Sequence, residues 1–177
     1  MTTIEQYCNT LDQKSLFIVC NDCNILMNEL SSCNCMYVNA FASIVSPDNG
    51  FDVAWFKQFI VDQGIRHFIL VSHYDCKILK FLMTDLSENP EWLERKNEIL
   101  ELAEEFGYFK SEGERSMHRL FDHYMALQLQ KVREYSRKNH LESDYKIYIS
   151  AIAVDERNLT VNEIREMSVL PINESLN

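Results

Sequence analysis

The chain has 177 residues, of which 46% are apolar and 25% charged, and a net charge of −10. That length and balance suit a single folded domain with a sizeable core, and the acidity argues against a nucleic-acid surface, which needs clustered Lys and Arg. No apolar run approaches the ~18 residues of a transmembrane helix, and Met1-Thr2-Thr3-Ile4-Glu5-Gln6 lacks the basic and apolar regions of a secretion signal.

Six cysteines without such a signal point to a reducing, cytoplasmic setting and to thiols or metal ligands rather than disulfides. Along the chain, residues 1–14 read as an N-terminal arm. Residues 15–20, Ser-Leu-Phe-Ile-Val-Cys, form an apolar, β-branched run that predicts a buried strand. A short helix is expected over 25–30 and a second strand over 35–38. Ser46-Pro47-Asp48-Asn49-Gly50 carries the residues of a turn. The spacing of Val53, Phe56, Phe59 and Ile60 predicts a helix over 52–63, with Gly64 suited to its C-terminal cap. Residues 66–72 repeat the buried-strand pattern, and a helix is expected after Cys76.

Two long helical patterns follow, over 90–106 and 114–139. In the second, Met117, Leu120, Phe121, Tyr124 and Leu127 recur at helical spacing. A last strand is expected over 145–154, closed by the polar turn Asp155-Glu156-Arg157-Asn158. The tail over 160–177 has no clear core pattern. No repeat or linker divides the chain, so one domain over 1–177 is expected. Strands alternating with helices predict an α/β fold, with a mainly parallel central sheet flanked by helices.

Two strings carry the chemistry: Cys20-Asn21-Asp22 after the first strand and His73-Tyr74-Asp75-Cys76 after the third. Open α/β sheets place their sites just beyond the carboxyl ends of such strands. Two thiols and an imidazole delivered there can converge on one metal ion, and zinc uses such a set catalytically with a fourth position left open. Asp22 is close enough in sequence to coordinate or to accept a hydrogen bond. A competing set is Cys20-x-x-Cys23 with Cys33 and Cys35, as a small structural zinc or iron–sulfur site. Against it, Cys33-x-Cys35 is unusual spacing for a zinc knuckle, and Cys23 is expected to start a helix facing away. The plain alternative is that these residues only pack the core. His118 and His123, five apart, do not share a helix face, and His67 reads as a packed or edge histidine.

Cys20-Asn21-Asp22 followed by His73-Tyr74-Asp75-Cys76 resembles the paired motifs of the β-class carbonic anhydrases, Cys-x-Asp-x-Arg and His-x-x-Cys. Residues 15–84 follow that family's order of strand, motif, strand, helix, strand, motif, and 145–158 resemble its last strand and turn. The resemblance implies a β-carbonic anhydrase-like fold with Cys20, His73 and Cys76 as Zn²⁺ ligands. Water or Asp22 would be the fourth ligand, and Asp22 the catalytic carboxylate. It also implies a zinc lyase (a carbonate dehydratase) converting carbon dioxide to bicarbonate through hydroxide formed on zinc, which lowers the pKa of bound water toward ~7. A homodimer or dimer-based oligomer is implied as well, with the site at a subunit boundary and with neither nucleic acid nor membrane as partner.

The chain departs from the family where charge and space matter. The motif's Arg is Asn24 here, which supplies no charge to hold the Asp22 carboxylate off the metal. Asp22 is then free to bind zinc itself, giving a closed, catalytically silent site as the alternative reading. Ser72 and Lys77 stand where members often carry glycine, and Asn39-Ala40-Phe41-Ala42-Ser43 replaces an Asn-Ala-Gly-Asn segment. Added side chains there can fill a small substrate pocket. Lys77 is a candidate for the missing positive charge.

Overall fold

In the computed structural model, residues 2–11, 14–47, 50–84, 93, 96, 97, 99–101, 104 and 114–164 are described. The helix expected over 90–106 lies largely outside them, as do Asp48, Asn49 and residues 165–177. The described elements are β1 (Thr2–Thr3), α1 (Ile4–Asn9), β2 (Ser15–Cys20), α2 (Asn24–Ser32), β3 (Met36–Ala40), a 3₁₀ turn (Phe41–Ser43), α3 (Val53–Asp62), β4 (His67–His73), α4 (Lys77–Thr84), α5 (Glu114–Lys138), α6 (Leu141–Tyr145), β5 (Tyr148–Asp155) and β6 (Thr160–Ile164).

Six strands form one sheet in the order β1-β6-β5-β4-β2-β3. Four neighbouring strands, β5-β4-β2-β3, are parallel, and β6 and β1 add antiparallel strands beyond β5. The expected α/β fold with a mainly parallel sheet flanked by helices is therefore the one observed. β2 and β4 are buried along nearly their whole length, which is why they read as unbroken apolar runs rather than alternating ones. The chain leaves β2 to one side, for β3, and returns to the other side of it, for β4. That reversal makes the carboxyl end of β2 a topological switch point.

Local signals place several elements. Thr3 and Gln6 form a capping box at the start of α1, so the expected arm is anchored structure, with Ile4 and Tyr7 buried. Asp52 Oδ1 accepts the Trp55 N–H at 2.8 Å to start α3. Gly64, at φ +67°, follows the Gln63 cap as a left-handed stop. Phe56 of α3 packs edge-on to Phe68 of β4 and stands 6.3 Å, centroid to centroid, from Tyr135 of α5. α3 and α5 thus cover the same part of the sheet.

Two boundaries differ from expectation. The last strand starts at Tyr148 rather than at 145, because Leu141 is fully buried and Lys146 N–H bonds back to Glu142 O at 3.0 Å, closing α6. Residues 160–164, which lack a core pattern, form β6. Their side chains are only half-buried or exposed, so the backbone ladder to β5 and β1, rather than apolar burial, makes the strand.

The turn after β3 departs from ordinary backbone. Ala42 and Ser43 both adopt positive φ, 49° and 56°, a region that favours glycine. Two buried hydrogen bonds hold it: Ser43 Oγ donates to Val71 O at 2.6 Å, and Tyr124 Oη donates to Ala42 O at 3.3 Å. Ser43→Ala removes the shorter of these and is expected to cost about 1–2 kcal/mol, read as a lower urea midpoint at unchanged slope.

Candidate metal centre

The parallel register sets the site. Val19 pairs with Val71, Cys20 with Ala40 and His73 with Val154, so the carboxyl ends of β2, β4 and β5 finish side by side. Cys20 is the last residue of β2 and His73 the last of β4, and Cys76 precedes α4. All three side chains are buried. The Cys76 N–H bonds to His73 O at 3.1 Å and the Cys23 N–H to Cys20 O at 2.9 Å. Two tight turns therefore fold the strand ends back toward each other.

Cys20 Sγ and Cys76 Sγ are 3.5 Å apart. His73 Nε2 lies 3.4 Å from Asp22 Oδ2. The ligand atoms of Asp22, His73 and Cys76 all lie within 4.8 Å of one another. Two sulfurs on a tetrahedral zinc, each ~2.3 Å from the ion, would be about 3.8 Å apart; an imidazole nitrogen and a carboxylate oxygen would be about 3.4 Å apart. Both observed pairs are close to those spacings. Neither ring nitrogen of the buried His73 has a hydrogen-bond partner of adequate geometry, whereas buried polar atoms are ordinarily satisfied. A divalent cation among Asp22, His73 and Cys76 is the group this arrangement fits, with Cys20 outside that compact set and adjoining it through Cys76 Sγ.

Electrostatics point the same way. The Cys20 thiol is held below its ordinary range chiefly by a hydrogen bond from Cys76, helped by the Asp22 N–H and opposed by burial. That favours the thiolate, the form that binds metal. Burial disfavours the His73 cation, but Cys76, Glu156 and Asp22 together outweigh it and raise the imidazole pKa. Asp22 Oδ2 accepts the Lys77 N–H, the first amide of α4, at 2.5 Å. Lys77 therefore meets Asp22 through its backbone, a neutral donor. Asn24, the first residue of α2, is exposed.

The competing four-cysteine set is not brought together. Cys33 and Cys35 interact instead with Cys8, and Cys8 and Cys35 line a cavity of about 390 Å³ with Leu11 and Lys14. That cavity lies at the amino end of β2, about 16 Å from Cys20 along a strand of this length. Cys23, expected to face away, is buried and donates from Sγ to Glu156 Oε1 at 3.7 Å. Burial, then Glu156, pushes its thiol pKa well up.

Sequence reasoning missed two neighbours. Glu156, read only as part of a polar turn, lies 3.3 Å from His73 Nδ1. Tyr74, between the two ligand positions, stacks on His118 with centroids 4.2 Å apart. Its Oη donates to Asp122 Oδ1 at 3.0 Å and accepts from Asn162 at 2.9 Å. Burial and Asp122 push the phenol up to about 12, so Tyr74 works as a neutral clamp on the second motif. The one signal for it in the sequence is the four-residue spacing of His118 and Asp122, which puts both on one helix face.

With this geometry in hand, likeness to solved proteins becomes informative. The wild-type β-carbonic anhydrase CafD of the filamentous fungus Aspergillus fumigatus superposes with a TM-score of 0.71 at 14% identity, covering 89% of this chain and 96% of that one. The chain has the β-carbonic anhydrase fold. One of two tetrameric β-carbonic anhydrases from Sordaria macrospora gives a TM-score of 0.67 at 13% identity over 88% of this chain and 82% of that one. The Coccomyxa β-carbonic anhydrase, solved in complex with acetazolamide, gives 0.64 at 13% identity over 91% and 76%. No protein-family model and no curated protein matches the sequence. Among the described residues, no helix is long and apolar enough to cross a membrane.

Native alkylation of the metal-free chain is expected to label the half-buried Cys33 and Cys35 ahead of the buried Cys20, Cys23 and Cys76. Peptide mass mapping over time checks the order.

Proposed function

We propose that this chain binds zinc through Cys20, His73, Cys76 and Asp22 and acts as a carbonic anhydrase-like lyase, interconverting carbon dioxide and bicarbonate. The observation that carries this reading is the spacing of the two donor pairs, 3.5 Å for Cys20 and Cys76 and 3.4 Å for Asp22 and His73, close to adjacent ligands on one tetrahedral zinc. When bound, zinc supplies Lewis acidity and lowers the pKa of a coordinated water toward ~7.

The chain's own residues divide the remaining work. The buried Cys20 and Cys76 keep bulk water from the sulfur side. Asp22 is the catalytic carboxylate. Held by the Lys77 N–H, it would serve as the fourth zinc ligand or, with water as that ligand, would stay beside it on its backbone anchor. Carbon dioxide and bicarbonate are the small-molecule partners. The reading includes a homodimer or dimer-based oligomer, supported by the tetrameric state of the Sordaria macrospora enzymes, and a cytoplasmic setting, supported by six cysteines among which the structure has no disulfide.

Asn24 favours a second reading. Being neutral and exposed, it offers Asp22 no opposing charge, which supports a closed four-donor shell that holds the fold or an interaction surface and turns over no substrate.

Metal analysis of the purified chain is expected to find one zinc per chain, lost in Cys76→Ser. Stopped-flow hydration of carbon dioxide is expected to exceed that of Cys76→Ser and to rise from about pH 7 to 9, the range over which a zinc-activated water would ionise. Zinc at full stoichiometry with hydration no faster than the variant would decide for the silent site. Asn24→Arg supplies a cation beside Asp22 and is expected to raise the hydration rate at pH 7 several-fold; an unchanged rate means that closure by Asp22 is not what limits it.

A further inference from the structure

Resting on the zinc reading, we propose that Glu156 is the positioning residue for this centre: its carboxylate holds the Nδ1 proton of His73, so that Nε2 is presented unprotonated to the metal. A neutral imidazole carries one N–H, and a nitrogen that ligates must be the other one. In this chain Nε2 lies 3.4 Å from Asp22 Oδ2, on the side of the metal donors, and Nδ1 lies 3.3 Å from Glu156 Oε1; neither contact has full hydrogen-bond geometry, and a turn of the ring would bring the Nδ1 proton onto Glu156. The ring is 2% exposed, so water has little access to either nitrogen. A carboxylate placed on the free N–H of a ligating histidine fixes both tautomer and ring orientation.

The tertiary structure builds this contact with some care. His73 pairs with Val154 across β4 and β5, and the ladder runs on by one bond, from the Tyr74 N–H to Val154 O at 3.2 Å. The chain beyond β5 therefore turns over level with the imidazole. That turn is tied by the Arg157 N–H to Asp155 Oδ1 at 3.0 Å, and by the Thr160 N–H and Oγ1 to Asn158 Oδ1 at 3.1 and 2.6 Å. Glu156 thus comes from a held turn. The same oxygen, Oε1, also receives the Cys23 Sγ–H at 3.7 Å. Cys23, His73 and Glu156 themselves form a compact set of possible ligands. In the proposed arrangement, Glu156 occupies that set with protons, the thiol of Cys23 and the N–H of His73, and so keeps Cys23 from competing with Cys20 and Cys76 for the ion.

The test measures zinc affinity and tautomer separately. Zinc dissociation constants come from competition with a chromophoric chelator, and the tautomer comes from two-bond ¹H–¹⁵N correlations of the His73 ring in the metal-free chain. Wild type is expected to show Nδ1–H. Glu156→Ala is expected to lose that preference and to bind zinc about 10- to 100-fold more weakly, and Glu156→Gln, which keeps an acceptor without the charge, to lose less. Cys23→Ser is expected to leave affinity within about twofold, in contrast to Cys76→Ser. The proposal is overturned by an Nε2–H tautomer in wild type, by unchanged affinity in Glu156→Ala, or by a Cys23→Ser loss equal to that of Cys76→Ser, which would make Glu156 a ligand. Failure of wild type to bind zinc would sink the zinc reading instead. The wild-type tautomer would still decide the hold of Glu156 on Nδ1, and it needs no variant to fold.

Discussion

The in-register parallel pairing of β2 with β4 and of β4 with β5 is the constraint on which the centre depends. It brings the ends of three strands that are far apart in sequence to within a residue or two of each other: Cys20 comes level with Ser72, His73 pairs with Val154, and Asp155 lies one beyond. Because side chains alternate along a strand, a shift of one residue would turn His73 to the other face and part it from Asp22 and Glu156. The burial of nearly every β2 and β4 side chain makes such a slip costly. The same apolar runs that form the core thus aim the metal donors.

Around that frame, anionic groups outnumber formal cations in direct contact. The Cys76 thiol, the Asp22 carboxylate and the Glu156 carboxylate converge on one imidazole, and Cys20 adjoins them through Cys76. Backbone supplies part of the compensation, with the Asp22 N–H toward Cys20 and the Lys77 N–H on Asp22. An amide orients a carboxylate but does not neutralise it, as a guanidinium fork does. A divalent cation is the counter-charge this donor set suits, and the Asp22 carboxylate, held by an amide and 3.4 Å from the imidazole, is placed to join it.

The surrounding structure replaces glycine by bonding. The turn after β3 takes two positive-φ residues without glycine and secures them with Ser43 on Val71 and Tyr124 on Ala42. The second motif is secured by Tyr74, which reaches His118 and Asp122 on α5 and Asn162 on β6. Such long-range ties keep a fold while residues at the site diverge. They are consistent with a chain that superposes on β-carbonic anhydrases at 13–14% identity although no family model matches its sequence.

Residues 15–20 and the strand ending at His73 were legible in the sequence because a strand buried on both faces must be apolar at every position. So were the pairings Cys20-x-Asp22 and His73-x-x-Cys76, whose members are brought close by local turns. Residues 160–164 were not legible, since they pair by backbone with little apolar burial. The partners of the cysteines were not legible either: Cys33 and Cys35 go to Cys8 at one end of the sheet, and Cys23 goes to Glu156 at the other. Sequence by itself determined which residues can bind a metal and which runs must be buried, because both follow from side-chain chemistry and local spacing. Only the tertiary structure decided that Glu156 faces His73, that an amide of α4 holds Asp22, and that the six thiols divide between two ends. Each of those contacts joins segments whose separation is set by strand register and crossover, and neither is written in local pattern.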